Sequence, residues 1–168
     1  MLYKHFSQSE LGMITLLAND HGLLGTWFEN QANYGGLFDL DSVQQVTDHH
    51  STIIDQAIKW LDAYLAKQPL ETIDFQLMPQ GTAFQQDVWS ELQKIPYGET
   101  ITLDQLVERI KARQTKGQGT VNAIIGAINS NPIAIMIPSH RVLIPSDQVG
   151  DRVSTNYLVQ VPREFESS

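Results

Sequence analysis

"NSNPIAIMIPSHRVLIP", residues 129–145, places an apolar run between two prolines and follows it with Ser139-His140-Arg141. Asn131-Pro132 ends any helix that precedes it, since proline lacks an N–H and restricts the residue before it. Ile133 to Ile137 has the length and apolarity of a buried strand, so the pattern predicts a strand that delivers Pro138-Ser139-His140-Arg141. Ser139 can then be a nucleophile, the replacement for a lost one, or an ordinary turn residue. A Ser–His dyad needs the imidazole within hydrogen-bond reach of the hydroxyl and a third group to orient it. Neighbours in an extended segment point to opposite faces, and the sequence has no Gly-x-Ser-x-Gly elbow, so a serine hydrolase is disfavoured.

Upstream of this stretch the sequence reads as helices. Thr82 followed by Gln85 has the form of a capping box, and Phe84, Val88, Leu92 and Ile95 continue a helical stripe toward Pro96. After the turn "PYGET", Thr102 and Gln105 repeat the box, with Leu103, Leu106, Val107 and Ile110 predicted inward. A glycine-bearing turn, "RQTKGQG", leads to Thr120 and a third helix packed through Val121, Ile124, Ile125 and Ile128. Two short helices joined by a turn are compatible with a helix-turn-helix. Lys111, Arg113 and Lys116 around that turn form either a solvated face or, if the motif is real, a phosphate-contacting patch.

The first half reads differently. "LYKHF", "GMITLLA" and "GLLGTWF" are short, rich in β-formers and separated by polar or glycine turns, which predicts a small antiparallel sheet. From His50, the residues Ile53, Ile54, Ala57, Ile58, Leu61, Tyr64 and Leu65 recur at helical spacing and stop before Pro69. "TIDFQLM" is predicted as a further strand, and Pro79-Gln80-Gly81 as the boundary between a domain at 1–78 and one at 79–168. His49-His50 stands at a helix start without metal spacing, and no metal site is expected.

Composition narrows the function. The 168 residues carry a formal charge of −8, which argues against a generic binder of nucleic acid or membrane surfaces. The distribution is uneven: residues 1–78 hold three Lys/Arg against ten Asp/Glu, whereas residues 79–141 hold six against five. There is no cysteine, so disulfides, thiolate chemistry and Cys-ligated zinc are excluded. No segment has the apolar length of a signal core or a spanning helix, so a cytoplasmic protein without membrane attachment is expected.

"GTAFQQDVWSELQKIPYGETIT" followed by "GAINSNPIAIMIPSHRV" resembles the O6-alkylguanine-DNA alkyltransferases, whose hallmark is Pro-Cys-His-Arg-Val after an Asn-Pro-apolar segment. The similarity is close over about residues 79–143, and "GMITLLANDHGLLGTWFE" is similar to that family's N-terminal sheet. The resemblance implies an α+β fold: a small ribonuclease H-like sheet-plus-helix domain, then a helix-turn-helix, winged-helix-like domain. Family members bind double-stranded DNA through the minor groove, flip the alkylated guanine out and transfer its alkyl group to the cysteine, with no cofactor. Here Ser139 stands at the acceptor position, His140 at that of the histidine that activates it through a water, and Asn131 at the hinge asparagine. Thr100, Thr102, Asn122, Ala123, Ala127 and Arg141 fall at DNA-contacting positions, and Gly150 and Arg152 in the lid. Leu103 replaces the usual tyrosine and Asn122 the arginine finger, while "YLVQVPREFESS" offers only Glu164 or Glu166 as a nominal partner for the histidine.

These departures share a direction. An unactivated hydroxyl offers almost no alkoxide at neutral pH, so alkyl transfer to Ser139 is expected to be negligible. The segment "TVNAIIGAIN" has no Lys or Arg, so any binding to alkylated DNA is expected to be weak. Its small Ala123, Gly126 and Ala127 would permit close approach to a groove or serve helix packing. A divergent, non-transferring family member is favoured, with a non-DNA binding or scaffold protein as one alternative. The other, an engineered Cys-to-Ser form of an active transferase, predicts that the remaining functional positions are intact, and Leu103 and Asn122 are not.

Overall fold

A computed structural model describes residues 2–29, 34–45, 51–67, 73, 75–113 and 120–143. The chain is α+β and divides into two compact units, Met1–Gln80 and Gly81–Ser168.

In the first unit β1 (Tyr3–Ser9), β2 (Gly12–Ala18) and β3 (Leu23–Phe28) form an antiparallel meander. A two-residue β4 (Gln44–Gln45) runs parallel to β1, giving the order β3-β2-β1-β4. The predicted helix is present as α1 (Thr52–Leu65). Ser51 caps it by accepting a hydrogen bond from Ile54 N–H, and it buries Ile54, Ala57, Leu61 and Tyr64. Strand β3 and residues 14–18 of β2 are buried throughout, which requires cover on both faces of the sheet. Helix α1 packs on the sheet, and Leu40 and Val43 pack against Leu17, Leu24 and Trp27. The Trp27 ring lies back over Gly25, where a Cβ would collide with it, so the glycine makes room for the indole. Among the described residues of the predicted strand "TIDFQLM" there is one bridge, Leu77 to Leu23, closed by Leu23 N–H to Gln76 O (2.8 Å) and Met78 N–H to Leu23 O (2.7 Å).

The second unit holds α2 (Ala83–Leu92), α3 (Leu103–Arg113) and α4 (Val121–Asn129) beside a two-stranded parallel sheet of β5 (Ile101–Thr102) and β6 (Val142–Leu143). Both capping boxes form as predicted. Thr82 accepts from Gln85 N–H and Gln85 from Thr82 N–H, and Thr102 and Gln105 repeat the exchange at 3.1 and 2.9 Å. Leu103, Leu106, Val107 and Ile110 face inward. Helix α2 packs on α3 and α4, with Trp89 donating its indole N–H to the Ala127 carbonyl at 2.8 Å.

No continuous strand runs through Ile133–Ile137: Ile133 forms a single β-bridge and the residues after it turn. The segment is a tight turn in which Ile137 N–H bonds to Ile133 O (3.0 Å) and Met136 N–H to Ala134 O (2.9 Å), with Ile135 at φ 73°. A β-branched residue at positive φ costs of order 1–3 kcal/mol and persists only where its surroundings hold it. The surroundings here are side-chain bonds from Asn131, which satisfy backbone groups that a strand would pair across a sheet. The histidine pair His49-His50, the turn residues 114–119 and the tail from 144 onward lie outside the described residues.

Candidate functional site

The tight turn ends in a short 3₁₀ turn, Ser139–Arg141, all three residues of which are buried. Ser139 and His140 are therefore not successive residues of an extended segment, and the alternation that would have put them on opposite faces does not apply. The side chain that holds Ser139 lies eight positions earlier. Asn131 Nδ2 donates to Ser139 Oγ at 2.7 Å and to Ile137 O at 2.7 Å, while Asn131 Oδ1 accepts from Ile133 N–H at 3.0 Å. Asn131 and Ser139 are each 1% exposed. One amide thus closes the strained turn and fixes the serine. The pairing depends on a turn whose composition is that of a strand, and the sequence carries no local signal for it.

Arg141 is buried as well. Its guanidinium donates to Ile95 O at 2.6 Å and sits over the Tyr97 ring, 5.7 Å from its centre. That ties the 3₁₀ turn to the loop after α2, and the geometry gives Arg141 an internal bracing role. Thr100 and Thr102 are exposed at the entry to α3, with the Thr102 hydroxyl committed to its cap. Leu103, which the resemblance sets where the family has a tyrosine, is a core residue, and its side chain has no proton to give.

On α4 the exposed residues are Asn122, Ala123 and Gly126, and a Cβ added at Gly126 would meet nothing within 4 Å. Helix packing therefore does not explain Gly126. Ala127, expected on the same surface, is 2% exposed, because it turns toward α2 with Ile124 and Ile128. Arg113 is engaged internally: it reaches Asp87 Oδ1 and Glu91 Oε1, both at 3.2 Å. Of the cationic cluster expected around the turn, only Lys111 is described and outside that arrangement, since Lys116 falls among the undescribed residues. Gly150 and Arg152, assigned to the lid, also lie outside the described residues, as do Glu164 and Glu166. No group of three or more His, Cys, Asp or Glu with metal-binding geometry occurs among the described residues. No helix among them is long and apolar enough to cross a membrane.

Residues 2–79 match the family described as "6-O-methylguanine DNA methyltransferase, ribonuclease-like domain", and residues 83–160 its "DNA binding domain". The chain belongs to the 6-O-methylguanine DNA methyltransferase family. A Methanosarcina barkeri protein named methylated-DNA–protein-cysteine methyltransferase is 34% identical over 145 residues, covering 84% of this chain and 82% of that protein. The alignment to the Methanosarcina acetivorans protein of the same name is 40% identical but spans only 53% of that relative. Among solved structures, Mycobacterium tuberculosis O6-methylguanine methyltransferase superposes with a TM-score of 0.76 at 26% identity, over 99% of this chain and 93% of the other. The same organism's OGT in complex with DNA gives 0.70 at 30% identity, over 86% and 80%. The family likeness thus extends through both units, including the N-terminal sheet.

Proposed function

We infer that this member of the methyltransferase family binds DNA through its C-terminal unit and does not transfer alkyl groups. The observation that carries this reading is the chemistry at the acceptor position: Ser139 is a buried hydroxyl, and the 168 residues contain no cysteine to stand in for it. The related OGT is solved in complex with DNA, which supports DNA as the partner here. The exposed face of α4 supports a close but weakly charged approach, with alkylated guanine as the base of interest. A transferring enzyme would need a thiolate, whose attack on the alkyl carbon expels guanine; a neutral hydroxyl is far less nucleophilic and its alkoxide is scarce at neutral pH.

The test is binding of a duplex carrying one O6-methylguanine against the unmodified duplex across a salt series, followed by mass spectrometry of the protein. The expected outcome is binding without any gain of a methyl group. Counterion release scales with the phosphates neutralised. With Arg113 and Arg141 engaged internally and no cation on α4, the slope of log K against log salt should be about −2 or shallower. No binding of either duplex at low salt would remove the DNA reading and leave a non-DNA scaffold, which the neutral α4 face favours. Methyl uptake by the protein would overturn the claim that it does not transfer.

Gly126→Ala separates fold from function on α4. Replacing a mid-helix glycine that has open space around it should raise stability by about 0.5–1 kcal/mol in a denaturant melt. If the face meets DNA closely, the same methyl should weaken duplex binding severalfold. Unchanged binding would mean that the duplex contacts some other surface.

A further inference from the structure

We propose that Gln85 is a positioning residue for the exposed face of α4: through Ser130 it holds the backbone of Gly126 at the roll and depth from which an uncharged helix can meet a duplex. The proposal rests on the DNA-binding reading above and assigns part of that binding to a residue on another helix.

Its basis is a chain of hydrogen bonds whose direction is fixed at its start. Thr82 N–H can only donate, so the Gln85 atom that accepts it at 2.9 Å is Oε1, and the amide cannot be turned end for end. Nε2 therefore points the other way and donates to Ser130 Oγ at 3.1 Å, 45 positions along the chain. Ser130 is thereby made the acceptor in that contact. Its single hydroxyl proton goes to α4, where the carbonyls of Gly126 and Ala127 lie at 3.0 and 3.2 Å. Trp89 follows Gln85 one helical turn later on the same face of α2 and gives its indole N–H to Ala127 O. A helix end leaves its last carbonyls short of intrahelical donors, and here two side chains of α2 decide which donors the last turn of α4 receives.

Gly126 belongs to both sides of this arrangement. Its carbonyl takes the Ser130 proton, while its Cα lies on the exposed face with Asn122 and Ala123, with open space where a side chain would be. No residue of α4 carries a charged side chain. That makes placement decisive. Coulomb attraction falls off slowly with distance, so a charged contact tolerates a small misplacement. Contact between uncharged surfaces forfeits roughly a quarter to a half of its dispersion energy over a gap of about 0.5–1 Å. The uncharged face of α4 therefore depends on where its backbone is held, and Gln85 sets the direction of the bond that holds it.

A double-mutant cycle read by fluorescence anisotropy on the O6-methylguanine duplex at low salt tests the link, with each protein confirmed folded by circular dichroism. A lost neutral hydrogen bond is worth about fivefold, so Gln85→Met and Ser130→Ala should each weaken binding by about that factor. Because Gln85 acts through Ser130, the double variant should also bind about fivefold more weakly than wild type, where independent effects would multiply to about 25-fold. Ser130→Thr keeps the hydroxyl and should bind as wild type does. Gln85→Glu preserves the capping box while removing the donor, so the same non-additivity is expected in a cycle that leaves the start of α2 untouched. Single variants that bind as tightly as wild type, losses that multiply in the double variant, or a Ser130→Thr protein as weak as Ser130→Ala overturn the proposal while leaving DNA binding intact. Failure of wild type to bind any duplex overturns the DNA reading itself and this proposal with it.

Discussion

Ser139→Cys, incubated with an O6-methylguanine duplex, is expected to take up methyl groups at least about a hundredfold more slowly than the Methanosarcina barkeri relative in the same assay. A restored thiol has an ordinary pKa near about 8.5, so a small thiolate fraction would exist, and Asn131 Nδ2 would donate to it. That is the favourable part. The leaving guanine would still lack a proton source from position 103, where Leu103 is packed in the core. Proton donation of this kind is typically worth about a hundredfold or more. Asn122, exposed on α4, has neither the charge nor the length to fill a stack emptied by an extruded base, and unstacking costs a few kcal/mol. The three deficits act on different steps, so repairing one leaves the others in force. Intact-protein mass spectrometry over a time course reads the rate directly. Uptake as fast as the relative's would show that Leu103 and Asn122 are immaterial and that the serine alone silences the chain.

What was legible in the sequence was governed by local rules. Thr82 with Gln85, and Thr102 with Gln105, announce their helix starts because the box is a bond between residues three apart, and both form. The α1 stripe is equally local, and its buried positions are four of the seven apolar residues predicted. Residues 133–137 hold a turn where a strand is expected because apolarity reports burial, and beyond the single bridge at Ile133 these residues are buried without being a strand. Its conformation is decided by Asn131, whose amide replaces the sheet partners that a strand would need. Arg113 and Ala127 show a related limit. Helical periodicity locates a face, but Asp87 and Glu91 on α2 decide which way the arginine turns, and Trp89 decides where the α4 boundary falls. The resemblance alone singles out Ser139, since nothing local marks it as paired with a residue eight positions earlier.

Asn131→Asp is expected to cost about 3 kcal/mol or more at neutral pH, and less as the pH falls. The substitution is nearly isosteric but leaves a carboxylate with no hydrogen to donate. Ile137 O and Ser139 Oγ both lose their donor, and a negative charge comes to face a carbonyl oxygen at a site 1% exposed. Burial and that repulsion both disfavour the charged form, so the introduced carboxyl's folded-state pKa rises above the ordinary value of about 3.9. Between the unfolded and folded pKa values the folded state then holds more protons than the unfolded one, so stability falls as pH rises through that window. Below about 3.9 the acid is protonated in both states and can return one hydrogen to one of the two acceptors, recovering part of the loss. Asn131→Ala removes those two bonds and the one from Ile133 N–H as well, with nothing to titrate, so its cost relative to wild type should be flat with pH. Urea melts of the three proteins at pH 5 and pH 8, with differences taken from wild type at each pH, separate the cases. An Asp variant as stable as wild type at both pH values, with the deficit confined to Ala, would mean that the amide serves only to fill space. A deficit that grows from pH 5 to pH 8 in the Asp variant alone identifies the Nδ2 donor as what holds Ile135 in its strained conformation and Ser139 in its place.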